Sequence, residues 1–222
     1  MEIKGQYEIP RSGTREESLT KLKKLIRRLT PKGVAPLSAT TRFLPTFADV
    51  GLYWGATVQS YFAANSIFWL HPSTEAIAIY REAVEMAPGK LDGVEFNAMR
   101  GQVATIPSGA TAFPWRAARY WSQHVGKTLD PADLPLHQAW VEKLYARLRE
   151  SILPQEETGR KRKIVIPAYA NCPQSALTSE KRFLPAYYGH NVDRLLAVKR
   201  KYDPHDHFHY PQSIPVVSPG YG

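Results

Sequence analysis

The sequence predicts an α+β fold: a mostly antiparallel sheet covered by helices, closing on a C-terminal helix and an extended tail. Two observations carry this expectation. Segments with apolar residues at helical spacing alternate with shorter runs rich in Thr, Phe, Tyr, Trp and Val. The runs cluster rather than interleave one strand with one helix, which favours antiparallel pairing over a parallel α/β sheet. The composition permits a packed core, with 43% hydrophobic and 11% aromatic residues in 222.

The first helix is expected within residues 13–33. Thr14 and Glu17 have capping-box spacing, Leu19, Leu22, Leu25, Ile26 and Leu29 recur on one face, and Pro31 and Gly33 end it. Residues 38–70 read as strands or extended segments. Residues 72–89 form a second helix, capped by Ser73 or Thr74, with Ile77, Tyr80 and Val84 on one face. Residues 93–107 suggest a strand pair turning at Gly101, and 116–125 a further strand. Leu136, Trp140, Leu144 and Leu148 step by four through a third helix at 133–154. A polar loop at 155–163 leads to a β-branched strand at 164–172. The last helix spans 190–204, with Asn191 as its cap and Asp203-Pro204 breaking it.

Charge and motifs narrow the function. The net charge is +9, concentrated at 21–32, 160–163 and 198–203. Two of these runs lie in helical patterns and read as solvated faces. Aromatics do not interleave with them, so a nucleic-acid platform is not expected. The apolar run 60–70 is too short to span a bilayer, and the polar first ten residues lack a signal peptide's apolar centre. One cysteine, Cys172, excludes an internal disulfide, and a reducing, cytoplasmic setting is the expectation. His205, His207 and His209 alternate as three metal ligands on a strand would. Asp206, the nearest acid, faces the other way, so no metal site is assigned.

The residues from Tyr187 to Ile214 resemble the C-terminal signature of the berberine-bridge-enzyme-like FAD-linked oxidases. The matching positions are Tyr187, Tyr188, Gly189, Asn191, Arg194, Leu195, Lys199, Asp203, Pro204, Phe208, Gln212, Ser213 and Ile214. Residues 110–123 are similar to the family's Thr-x-Phe-Pro-His-Arg segment and its following strand, with Trp115 in place of the His. Tyr169-Ala170-Asn171 is similar to its Tyr-x-Asn motif. The likeness is strong over 90–215.

The resemblance implies a substrate-binding domain over 1–160 and a C-terminal segment over 161–222 that packs on a flavin domain. The family's Gly-rich phosphate loop has no counterpart in these residues, so FAD would be shared with a flavin-binding domain or partner subunit. Tyr169 and Asn171 would then face the cofactor, and Gln123, Tyr169 and Cys172 would make up the catalytic set. Cys172 stands where many relatives place a Tyr or His; Gln123 stands where they carry Glu or Gln. His205, His207 and His209 fall at variable positions around Phe208, which the family anchors, and so point to the surface. Arg116 is expected to fix a turn.

Three functions stay open from the sequence. The first is the substrate-domain subunit or fragment of an FAD-linked oxidoreductase acting on an alcohol, sugar or secondary metabolite. The second is a flavin-free descendant, a binding protein or a non-redox cyclase or isomerase. The third is a basic module for an anionic polymer.

Overall fold

The computed structural model describes residues 8–35, 40–55, 60–152, 166–179 and 182–217. The chain divides into two compact units, residues 1–57 and 58–222.

In the first unit, α1 spans Arg15–Leu29. Its capping box forms as the spacing requires: Glu17 N donates to Thr14 Oγ1 at 3.2 Å, and Thr14 N donates to the Glu17 carboxylate at 3.1 Å. The apolar stripe is less covered than its periodicity suggests, since Leu25, Ile26 and Leu29 are exposed. A second helix, α2, spans Phe47–Gly55, where extended structure was expected. Thr46 and Asp49 build a second reciprocal cap, with Asp49 N on Thr46 Oγ1 at 3.1 Å and Thr46 N on Asp49 Oδ2 at 3.0 Å. That cap overrides the β preference of the neighbouring aromatics.

The second unit is built on an antiparallel three-stranded sheet in the order β1-β3-β2, which meets the α+β expectation. The strands are β1 (Tyr61–Trp69), β2 (Gly93–Ala98) and β3 (Tyr120–Thr128). Helices α3 (Thr74–Glu85) and α5 (Leu134–Ile152) pack on one face. Between β2 and β3 lies the one-turn helix α4 (Gln102–Thr105). The strand pair expected at 93–107 is therefore half right. Gly101 turns the chain at φ +75°, and β2 finds its partner in β3 instead.

The core joins Ile67 and Trp69 of β1, Ala76, Ile79, Tyr80 and Ala83 of α3, and Trp140, Val141, Leu144, Tyr145 and Leu148 of α5. The buried face of α3 differs from the expected one: Ile77 and Val84 are exposed, and the two alanines lie against the sheet side with Tyr80. Leu136 is likewise exposed, and His137 takes the inward position in the first turn of α5. Gly126 sets how closely α5 approaches β3: a Cβ there would lie 2.6 Å from the His137 carbonyl oxygen.

The expected strand at 164–172 is not one over its described part. Residues 166–169 run extended beside β1 with a single ladder-like bond, Phe68 N to Pro167 O at 3.1 Å. Pro167 has no N–H to continue a ladder. The next amide, Ala168 N, donates instead to Ala186 O at 2.9 Å. The polar loop expected at 155–163 lies outside the described residues. Short helices α6 (Ser175–Ser179) and α7 (Phe183–Tyr188) precede α8 (Val192–Tyr202), the expected last helix. Asn191 precedes α8 but makes no side-chain cap; its amide is used elsewhere.

Candidate functional site

Strand alternation divides β3 between two environments. Ser122, His124, Gly126 and Thr128 are buried on the helix side. Trp121, Gln123, Val125 and Lys127 are half-buried on the opposite face, which no described helix covers as α3 and α5 cover the first. Register adds their neighbours. Ser66 and Glu95 lie across from Gln123, and Phe68 and Asn97 across from Trp121.

The segment 166–172 lies over this open face. Tyr169 N donates to Ser66 Oγ at 2.9 Å, which ties the segment to β1. The Tyr169 ring stands edge-on to Trp121 at 4.9 Å and to Phe68 at 6.3 Å. Asn171 Nδ2 donates to the Tyr169 hydroxyl at 2.9 Å. Cys172 turns back through a bond from its amide to Tyr169 O at 2.9 Å, and its Sγ accepts from Gln123 Nε2 at 3.3 Å. The three residues expected from the sequence to form one set, Gln123, Tyr169 and Cys172, therefore meet on one face, with Asn171 at its exposed edge. Burial, with the Glu95 carboxylate adding to it, pushes the Cys172 thiol up to about 11, so it is a neutral thiol at neutral pH.

The reverse side of β3 holds a buried polar network. Asn65 Nδ2 donates to Val141 O at 3.0 Å, which turns Asn65 Oδ1 toward His124 Nδ1. An amide oxygen only accepts, so His124 carries its proton on Nδ1 and offers Nε2 as an acceptor. Tyr80 OH stands 3.1 Å and Ser122 Oγ 3.3 Å from that Nε2. Trp69 Nε1 donates into the same cluster, to Ser122 Oγ at 2.9 Å. Burial holds the His124 imidazole down to about 3 and raises the Tyr80 phenol above its usual range. Nothing in the sequence marks this network beyond strand alternation, which sets His124 on the face away from Gln123.

The family-signature residues hold backbone. Asn191 Nδ2 donates to Ser108 O and Thr111 O at 2.9 and 3.0 Å, and Arg194 Nη1 to Gly109 O at 2.9 Å. Trp115 Nε1 reaches Ala186 O at 3.1 Å, beneath Gly189 at φ +52°, where a Cβ would meet the Trp115 ring at 3.4 Å. Arg116 does fix a turn: its Nη2 lies 2.6 Å from Thr111 Oγ1 and its Nε 3.2 Å from Phe113 O. That turn delays β3, which starts at Tyr120 rather than near 116. Tyr187 OH donates to the buried Gln212 Oε1 at 2.5 Å, and Gln212 Nε2 donates to Gln174 O at 2.6 Å.

Asp203 ends α8 by accepting from His207 N and Phe208 N at 2.8 and 3.1 Å while paired with Lys199. These bonds hold its carboxyl down at about 2, with the Lys199 bond the largest cause. The His run is a turn rather than a strand, because Asp206 sits at φ +54°. The His205 and His207 rings meet edge-on at 6.0 Å on the surface, and His209 pairs with Asp206 at 3.0 Å. Phe208 is 82% exposed. It is anchored, as expected, but through its backbone, because Asp203 accepts from its N–H and Lys199 donates to its C=O.

The donor set of the open face suits a flat heteroaromatic group such as a flavin ring. The half-buried Trp121 and Tyr169 offer aromatic surface, backed by the buried Phe68. Gln123 and Asn171 place amides at its margin, and the buried Trp121 Nε1 has no hydrogen-bond partner among the described residues.

Residues 168–215 match the family described as berberine and berberine like. The chain is 31% identical over 148 residues to the uncharacterized FAD-linked oxidoreductase YvdP of Bacillus subtilis, covering 67% of this chain and 29% of the relative. It is 27% identical over 201 residues to the FAD-linked oxidoreductase YgaK of the same organism, covering 89% of this chain and 41% of the relative. The crystal structure of CrmK, a flavoenzyme of caerulomycin biosynthesis, shares the fold, with a TM-score of 0.70 at 22% identity over 93% of this chain and 43% of that one. The chain thus spans less than half the length of the curated relatives it matches. Among the described residues no helix is long and apolar enough to cross a membrane, and no cluster of three metal-ligating side chains occurs.

Proposed function

As this chain belongs to the berberine and berberine-like family, we propose that it forms the substrate side of an FAD-linked oxidoreductase acting on a small alcohol, sugar or secondary metabolite. In this reading residues 1–160 are substrate domain, and 161–222 are the segment that packs on the flavin domain. The flavin is held mainly by sequence outside these 222 residues, on the same polypeptide or on a partner chain. The observation that carries the reading is the assembly of Gln123, Tyr169 and Cys172 over one open sheet face.

The chemistry the flavin supplies when bound is hydride acceptance, which no side chain offers. This chain's residues do the rest. Tyr169 and Asn171, already bonded to each other, present a hydroxyl and an amide to the cofactor side. Gln123 orients substrate through its amide and is not a base. Cys172 holds Gln123 in place as a neutral thiol. The aromatic surface of Phe68 and Trp121 excludes water beneath the reacting carbon.

Purified alone, the chain should show no flavin absorbance between roughly 350 and 500 nm. Produced together with the flavin-binding half of its own protein, it should co-purify with FAD, and Tyr169→Phe should slow flavin reduction. A chain that retains FAD unaided, or a reconstituted pair indifferent to Tyr169→Phe, would overturn the assignment.

A further inference from the structure

The open face presents several groups of the right type to meet a substrate, yet those the family resemblance singles out cannot accept its proton. Gln123 carries an amide, which has no basic site at neutral pH. Cys172 holds its proton to about pH 11. The Tyr169 hydroxyl already accepts from Asn171 Nδ2.

Register identifies another group. The open face of β1 shows Ala64, Ser66 and Phe68, and that of β3 shows Trp121, Gln123, Val125 and Lys127. β2 adds Gly93, Glu95 and Asn97. Glu95 is the carboxylate among them. It pairs directly with Gln123, and directly opposed residues on one face have Cβ atoms about 4.5–5.5 Å apart. Gln123 in turn touches Cys172 at 3.3 Å, so the three form a short row across β2, β3 and the 166–172 segment. Glu95 is exposed, which gives a proton taken there a path to solvent.

We infer that Glu95, carried on β2 directly across from Gln123, is the general base of this face and takes the substrate's hydroxyl proton. The inference rests on the reading of the chain as the substrate side of a flavin oxidase. The carbinol O–H bond breaks, with its proton going to the Glu95 carboxylate. The C–H bond breaks, with its electron pair leaving as hydride to the oxidised flavin that reading supplies. The C–O bond becomes C=O, and the Glu95 carboxylic acid returns its proton to water. The base has moved one strand sideways: a carboxylate on β2 does what a carboxylate at position 123 would do from β3.

Two measurements test this. The first needs neither flavin nor substrate. Cys172 is the chain's only cysteine, so its alkylation by iodoacetamide as a function of pH reports the charge beside it. The charged groups to consider are Glu95 from β2 and Lys127 farther along β3. Glu95→Gln should lower the alkylation midpoint by roughly half a pH unit, the effect of one unit charge at close range in a wet site. Lys127→Met should leave it in place. An unchanged midpoint in Glu95→Gln would overturn the placement.

The second uses the FAD-loaded full protein, with benzyl alcohol and glucose as probes in anaerobic flavin bleaching. Glu95→Gln should slow reduction about 10²-fold or more and remove the acid limb of its pH profile, with FAD content unchanged. Glu95→Asp should recover part of the rate. Wild-type rates in a flavin-loaded Glu95→Gln variant would remove Glu95 from the chemistry and leave the flavin reading intact. A full protein that holds no flavin, or whose flavin neither probe reduces, would count against the oxidase reading, while the alkylation result would still decide where the Glu95 charge lies.

Discussion

Acid should loosen this protein through one buried imidazole. His124 is wholly buried behind β3, and burial holds its pKa down to about 3 against an ordinary 6.5. Its Nδ1–H is committed to Asn65, and its Nε2 must accept. A second proton would therefore bring a charge into the core and turn an acceptor into a donor facing hydroxyls. Above pH 6.5 neither the folded nor the unfolded state binds that proton, and the stability is fully present. As pH falls from 6.5 toward 3 the unfolded chain takes up the proton and the folded chain does not, so stability falls by about 1.4 kcal/mol per pH unit. At pH 5 the loss reaches about 2 kcal/mol, a large share of the roughly 5–15 kcal/mol typical of a folded domain.

Urea denaturation at pH 7 and pH 5 measures it. With an m value of roughly 2 kcal/mol/M the midpoint should move down by about 1 M. In His124→Gln, which cannot titrate, that part of the shift should vanish, even though the variant starts less stable. Equal pH shifts in the two proteins would refute the reasoning. So would a ring spectrum showing His124 doubly protonated in the folded wild type at pH 5, a measurement that needs no variant.

Two further perturbations probe the framework. Gln212→Ala removes the acceptor of the Tyr187 hydroxyl and the donor to Gln174 O and Thr178. At about 1 kcal/mol net per bond this should cost about 2–4 kcal/mol and speed proteolysis of the tail after 203 at least tenfold; tail cleavage at the wild-type rate would show that the bonds do not latch it. Gly126→Ala should destabilise by about 1–3 kcal/mol in thermal melts, since the new Cβ would meet backbone of α5 rather than a yielding side chain; an unchanged Tm would mean that α5 shifts freely away from β3.

Local signals in the sequence were reliable where a short-range hydrogen bond decides the outcome. The Thr14–Glu17 box started α1 where its spacing says. Alternation placed Gln123 and His124 on opposite faces of β3. The misreadings come where long-range partners compete with local preference. Arg116 was drawn from the expected strand into a turn by Thr111 and Phe113. Residues 166–169 were extended but unable to join the sheet through Pro167. The His run lost its alternation at the left-handed Asp206, and α2 was hidden beneath aromatics that suggest strands. The role inferred for Glu95 is invisible in the sequence for a different reason: nothing near it marks it, and only the pairing of β2 with β3 sets it beside Gln123.

The family signature and the proposed site therefore sit on different residues. Asn191, Arg194, Tyr187, Gln212 and Asp203 spend their polar groups on the 108–111 loop, the 174 turn and the end of α8. Such bonds tolerate little change, because each substitution takes a partner from a backbone group or a buried side chain. Tyr187 and Gln212 hold Gln174, and Gln174 on the Ser66 carbonyl together with Tyr169 N on Ser66 Oγ fixes how segment 166–172 lies over the sheet. Strand register decides which side chains share the face beneath that segment, and an exposed one there, such as Glu95, can change without loosening the frame. A carboxylate can then pass from one strand to its neighbour and still point at the same place. Under the proposed function the frame marks the reacting face, and the proton acceptor inferred for it is read from the register.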